Sequence, residues 1–158
     1  MTTIKILVDT EGSPKGRFKT FARTIAKKIL EELSLPFPCE LSLMLVDDET
    51  IRRLNREHRG KDTPTDVLAF PMEEGHKMLL PPGKGVRRLL GDVVISLETA
   101  RRQAEEHSHP VKRELAILIA HGILHLRGYD DDKPGERAAM EKRSGELLES
   151  PAVSSSIP

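Results

Sequence analysis

The chain has 158 residues, of which 37% are hydrophobic and 32% charged, and this size suits one compact domain with a single core. Its 25 Lys and Arg residues balance its 25 Asp and Glu residues, which excludes a protein that grips nucleic acid with its whole surface. The single cysteine, Cys39, excludes an internal disulfide and a cysteine-rich zinc site. We expect a cytoplasmic protein with no membrane segment, in which any nucleic-acid site is local.

The first half of the chain shows two strands and two helices. Alternating apolar residues predict a strand at residues 4–8, and apolar residues at helical spacing predict a helix over 18–33. Residues 40–46 alternate again as a second strand. Asp47 or Asp48 is placed to cap the short helix that follows.

The second half begins with two further strands, at residues 65–71 and 89–95, separated by a loop or wide hairpin rich in Gly and Pro. Ser96 is a suitable N-cap for the next helix. Pro110 and Gly128 mark the beginning and end of a long apolar helix.

Pro134 opens a final helix. Four strands and about five helices that do not strictly alternate predict an α+β fold, with helices packed on a small mixed sheet. We expect one domain over residues 1–149. Residues 150–158 have no periodic apolar face, and we expect them to form a disordered tail.

The segment from His121 to Asp132 carries the chemistry. His121 and His125 are four residues apart in the apolar helix, so both imidazoles face the same point, as a metal site needs. Gly128 can turn the chain back, which lets a residue among 130–132 approach as a third ligand. Two ordinary buried histidines, each with a backbone partner, are the alternative.

The spacing is that of the long zincin motif, with Asp131 in the place of the third ligand. Zincin peptidases carry a glutamate directly after the first histidine as general base, and this chain has Gly122 there. The helix thus predicts a zincin-like metal site without the peptidase base. Two histidines and a carboxylate also describe the iron site of non-haem oxygenases, which the helical spacing disfavours.

Four blocks in order, residues 54–59, 62–71, 90–96 and 121–130, resemble the bacterial YbeY family of metal-dependent endoribonucleases. The resemblance covers about residues 41–148. It implies one zinc ion per chain, held by His121, His125 and the residue at position 131. The family has a third histidine at that position, and this chain has Asp131. The negative charge of the Asp131 carboxylate should make the metal a weaker Lewis acid, and a divalent metal other than zinc could bind.

Positive charge is concentrated in two stretches. Residues 50–61 hold five basic residues against one acidic residue, and residues 77–88 hold four basic residues and no acidic one. Most such runs are solvated surface. The resemblance, however, places Arg59 near the metal as a catalytic residue that binds a phosphate, with Arg56 as a second substrate contact.

Three further residues of the matching blocks, Asp66, Asp92 and Tyr129, are candidates to orient the metal ligands. Capping of turns and strand ends is the alternative for the two acids, and a hydrophobic plug is the alternative for Tyr129. The remaining histidines occupy polar contexts, and we expect all of them at the surface: His58, His76, His107 and His109.

The resemblance implies an endoribonuclease that acts on single-stranded RNA in maturation of the 3′ end of 16S ribosomal RNA and in ribosome quality control. Ribosomal RNA, a small-subunit protein and an assembly GTPase are the partners it implies. Two alternatives stay open. One is a non-catalytic ribosome- or RNA-binding assembly factor with a degenerate metal site, and the other is a zinc peptidase.

Overall fold

The computed structural model describes residues 4–11, 16–72, 87–130 and 132–158. Over these residues the chain forms four strands and six helices. The strands are β1 (Ile4–Glu11), β2 (Cys39–Val46), β3 (Val67–Pro71) and β4 (Arg88–Ser96). The helices are α1 (Lys19–Leu33), α2 (Asp48–Arg59), α3 (Leu97–Glu106), α4 (Val111–Leu126), α5 (Pro134–Glu149) and α6 (Pro151–Ser154).

The four strands form one mixed sheet in the order β1-β2-β4-β3. β1, β2 and β4 are parallel, and β3 runs antiparallel to β4. The predicted α+β fold with a small mixed sheet is confirmed. The order leaves β3 at an edge of the sheet, where one side of its backbone has no neighbouring strand among the described residues.

Side chains alternate between the two faces of the sheet. One face carries the larger core, in which Val93 and Ile95 of β4 pack with apolar residues of α1, α3, α4 and α5. The other face carries a smaller cluster of Val46, Leu68 and Val94 beneath Ile51 of α2. The two long helices α4 and α5 therefore lie on the opposite side of the sheet from α2.

Local signals in the sequence fix the helix ends as predicted. The Asp47 side chain accepts a hydrogen bond from the Thr50 amide (2.8 Å), and the Ser96 hydroxyl accepts one from the Thr99 amide (3.2 Å). Each satisfies an amide that a helix N-terminus would leave unpaired. Gly128 follows α4 with φ of +99°.

The end of the chain differs from the expected disordered tail. Residues 151–154 form α6, and the side chain of Val153 is fully buried. The Lys28 ammonium of α1 also donates a hydrogen bond to the Ser156 hydroxyl. Ile157 also packs against the core. Two large apolar side chains are too few to create a periodic pattern in the sequence, yet they hold the tail against the domain.

Part of the second basic stretch, and the loop predicted before β4, fall at residues 73–86, outside the described residues. Arg88, in β4, belongs to this stretch and is buried. Its guanidinium lies over the Phe37 ring, 4.9 Å from the centroid.

No helix among the described residues is long and apolar enough to cross a membrane.

Candidate metal and phosphate site

A cleft of about 630 Å³ opens along the outer edge of β3. The end of α2 forms one wall, and α4 and α5 form the other. Residues from five parts of the chain meet in it. Its polar lining residues are His58, Arg59, Thr65, Asp66, His121, His125, Asp130, Arg137 and Glu141.

The two histidines of α4 lie together on the side of the helix that faces this cleft. Nδ1 of His125 lies 2.9 Å from the backbone carbonyl oxygen of Tyr129. Because a carbonyl only accepts, Nδ1 is the protonated nitrogen, and Nε2 of a neutral ring carries the lone pair that a metal requires. Gly128 reverses the chain and brings that carbonyl back to the helix.

His121 is prepared for the same role by its surroundings. Burial lowers the pKa of His121 below its ordinary value of 6.5, and the neighbouring His125 acts in the same direction. The charges of Asp66, Glu141 and Glu114 oppose this shift without reversing it. A neutral imidazole is the form that binds a metal ion, so two competent nitrogen ligands face the cleft.

The third predicted ligand, Asp131, lies outside the described residues, so its role stays a prediction. Its neighbours are described. Asp130 lines the cleft, and its carboxylate accepts a hydrogen bond from the Asp132 amide (3.0 Å). The segment after Gly128 thus returns to the histidine pair, as the third-ligand prediction requires.

The structure separates the two arginines that were predicted to bind substrate. Arg59 lines the cleft, whereas Arg56 lies in a neighbouring groove, with Nη1 3.8 Å from Oδ1 of Asp62. Arg52 of the same helix pairs with Asp62 at 2.9 Å. Among the described residues no carboxylate pairs with Arg59, which leaves its guanidinium available to an anion in the cleft.

The structure places the three candidates for orienting the metal ligands in different positions. Asp66 lines the cleft, where Oδ1 accepts from the Val67 amide (2.7 Å) and Oδ2 from the Gln103 side chain (3.3 Å). Tyr129 orients His125 through its backbone carbonyl, while its ring packs on the core. Asp92 is not brought to the cleft, because it shares the face of the sheet that carries Val94 and α2, away from α4.

The chain matches the family model described as Endoribonuclease YbeY over residues 5–151. It is 45% identical over 136 residues to a Persephonella marina protein named Endoribonuclease YbeY, covering 86% of this chain and 84% of that one. A Bacillus cereus protein of the same name is 38% identical over 150 residues, covering 94% and 96%. The chain belongs to the YbeY endoribonuclease family.

A solved structure has the same fold. The solution structure of the Thermotoga maritima protein TM1509 superposes with a TM-score of 0.53 and 25% identity, covering 95% of each chain. The predicted resemblance to the YbeY family is confirmed, and with it the predicted enzyme class, an endoribonuclease. The family match ends at residue 151, where α6 begins.

Three ionisable residues that line the cleft were not predicted from the sequence. His58, expected as a surface histidine, lines the cleft and meets the Phe70 ring edge-on at 5.0 Å between centroids. Arg137 and Glu141 of α5 also line it and form an ion pair at 3.4 Å. The spacing of these two residues predicts only an exposed i,i+4 ion pair on a helix. Nothing in the sequence indicates which face of α5 meets α4.

A second group of potential metal ligands lies elsewhere in the molecule. One nitrogen each of His107 and His109 and one carboxylate oxygen of Glu114 all lie within 4.8 Å of one another. His109, expected at the surface, is in fact largely covered, with 17% of its side chain exposed. None of the three residues lines the cleft.

Proposed function

We propose that the chain is a metal-dependent endoribonuclease that cleaves single-stranded ribosomal RNA in the cleft beside β3. Membership of the YbeY family supports the reaction class. The observation that carries the proposal is the convergence of His121, His125 and Arg59 on one cleft. Two imidazoles on one helix face suit a metal ion, and an arginine that pairs with no carboxylate of the described residues suits a phosphate.

The metal we propose is zinc, held by His121, His125 and Asp131. The histidine pair fits it, because the Tyr129 carbonyl fixes the His125 tautomer and burial keeps His121 neutral. Bound there, zinc would supply a Lewis acid that activates water and offsets negative charge on the phosphoryl oxygens. A carboxylate in the third position adds negative charge, which reduces that acidity and allows another divalent metal to compete.

Arg59 would hold the scissile phosphate or its neighbour through two parallel hydrogen bonds from its guanidinium. Arg56 lies three residues earlier on α2, roughly 4.5 Å back along the axis at 1.5 Å per residue. It would meet a more distant phosphate of the same strand, after partly leaving Asp62. The RNA backbone would then enter over α2 and reach the metal across the edge of β3.

In the cell, we propose maturation of the 3′ end of 16S ribosomal RNA and ribosome quality control in the cytoplasm. Ribosomal RNA, a protein of the small subunit and an assembly GTPase are the proposed partners. The balanced net charge is compatible with this role, because the basic residues of α2 concentrate positive charge beside the cleft.

Two alternatives make different predictions. A non-catalytic assembly factor with a degenerate metal site would bind RNA without cleaving it, and a carboxylate at position 131 is the observation in its favour. A zinc peptidase is disfavoured by Gly122, because that position packs against Val93 of the sheet and offers no room for a base.

The test is cleavage of end-labelled single-stranded RNA by purified protein loaded with zinc, before and after chelation. We expect chelation to abolish cleavage and zinc to restore it. His121→Ala should lower the bound metal by one equivalent per chain and abolish cleavage. RNA binding without cleavage at any metal loading would support the non-catalytic factor and overturn the nuclease.

A further inference from the structure

The corner between α3 and α4 holds two histidines in a fixed arrangement. The His107 amide donates to the Gln103 carbonyl (2.9 Å), and the His109 amide donates to the Ala104 carbonyl (3.1 Å). Between them, Ser108 takes a left-handed conformation with φ of +53°. Both imidazoles therefore project from a backbone that hydrogen bonds hold in place.

Their side chains converge on Glu114, in the first turn of α4. Nε2 of His109 lies 2.7 Å from Oε2 of Glu114, and Nδ1 of His107 lies 3.5 Å from the same oxygen. The two imidazole centroids are 5.5 Å apart. Glu114 itself is only 3% exposed, among the apolar residues that begin α4.

We propose that His107, His109 and Glu114 form a second metal site, which takes zinc or a similar divalent transition metal. Two imidazoles and one carboxylate are the protein ligands of many zinc sites, with water in the fourth position. Nitrogen donors favour such a metal over calcium or magnesium, which prefer oxygen. His107, with 59% of its side chain exposed, leaves an opening for entry and for the water.

The distances suit this chemistry. Ligand atoms bound tetrahedrally at 2.0–2.1 Å lie about 3.3 Å apart, and the two nitrogen-to-oxygen distances of 2.7 and 3.5 Å bracket that value. The ion would replace the proton that now joins His109 to Glu114. The His107 nitrogen can reach the ion by rotation of the exposed ring, without a change in the backbone.

This site is separate from the one in the cleft. Glu114 and His121 are seven residues apart on α4, roughly 10 Å along the helix axis. An ion at the corner would join α3 to the first turn of α4 and leave the cleft open. It would act as a structural clamp for the helix that presents His121 and His125, and its existence does not rest on the proposed nuclease reaction.

The test counts metal ions in untagged protein by calorimetric titration with Zn²⁺. We expect two equivalents in the natural chain and one in the double variant His121→Asn, His125→Asn. Adding His107→Gln to that double variant should abolish the remaining equivalent. Glu106→Gln, an exposed neighbour of His107, is the matched control and should leave it bound.

His107 is exposed, so its variant should fold, and circular dichroism checks that it does. In the double variant, Zn²⁺ should also change the NMR chemical shifts of the imidazole ¹⁵N nuclei of His107 and His109. Retention of the second equivalent after His107→Gln would overturn the proposal. Unmoved imidazole resonances at saturating Zn²⁺ would overturn it as well.

Discussion

Gly122 of α4 lies directly against Val93 of β4. A Cβ atom added at Gly122 would come within 2.4 Å of Cγ1 of Val93. The residue after His121 therefore faces the sheet and lets the helix approach it closely, while the histidine faces the cleft. The glycine is explained by packing, and its position excludes a glutamate that would serve as a peptidase base.

Gly122→Ala should lower the free energy of unfolding by about 1–3 kcal/mol, because the methyl group overpacks a rigid valine. Gly145→Ala on α5 is the control, since its Cβ would meet nothing within 4 Å. That change should raise stability by about 0.5–1 kcal/mol through the lower entropy of the unfolded chain. Urea denaturation measures both, and equal effects of the two variants would contradict the packing argument.

Gly128→Ala should weaken zinc binding about 10- to 100-fold, because it displaces the Tyr129 carbonyl that orients His125. Gly60→Ala is the control, since Gly60 also has a positive φ and open space around its Cβ. Both changes strain the backbone by about 1–2 kcal/mol, but only the first should change zinc affinity at the cleft. The measurement is zinc titration in the His107→Gln background, and a similar loss in both variants would reject the orienting role.

Asp131→His should tighten zinc binding in the cleft, because a neutral imidazole restores the ligand set that the YbeY resemblance implies. Asp132→His places the same side chain one residue later, at an exposed position, and should have no such effect. Competition with a fluorescent chelator measures the affinities. Weaker binding in Asp131→His would mean that Asp131 is not a ligand.

Arg59→Ala should slow RNA cleavage about 10- to 100-fold, which corresponds to charged hydrogen bonds worth roughly 1.5–3 kcal/mol. Metal content should stay unchanged. Arg53→Ala is the control on the same helix, because Arg53 pairs with Glu11 at 3.5 Å and lies outside the cleft. Single-turnover cleavage rates decide the matter, and equal rates for the two variants would remove Arg59 from phosphate binding.

Asp48 joins the start of α2 to α3 and gives a pH-dependent contribution to stability. Its Oδ1 accepts hydrogen bonds from the hydroxyls of Ser96 (2.7 Å) and Thr99 (2.6 Å), and its Oδ2 lies 2.8 Å from Arg102. Burial by itself would raise the pKa of Asp48, but these three partners outweigh it and hold the pKa below the ordinary 3.8.

Asp48→Asn should therefore lower the free energy of unfolding by about 1–3 kcal/mol at neutral pH. A carboxyl with a lowered pKa in the folded state stabilises the fold above its unfolded pKa and loses that effect as pH falls through the folded value. The difference from the natural chain should stay constant above about pH 5 and shrink below about pH 4. Glu49→Gln, at an exposed position in the same turn, should show little difference at any pH.

The elements and the histidine pair could be predicted because their signals are local. Asp47, Ser96 and Gly128 act within a turn of where they stand, and they mark the helix ends whatever the rest of the chain does. The spacing of His121 and His125 fixes their common helix face in the same way. The burial of Val153 could not be predicted, because its cavity is formed by other elements.

The composition of the site can be read from local sequence: two imidazoles on one face of a helix, a glycine turn, an acidic segment and an arginine in a block that resembles the YbeY family. Tertiary structure decided which of the candidates meet. It placed β3 at the edge of the sheet, so that Arg59 and His58 reach α4, and it turned Asp92 to the opposite face. Contacts across a sheet depend on strand order and on which face each side chain takes, and neither is encoded by the spacing of residues within one segment.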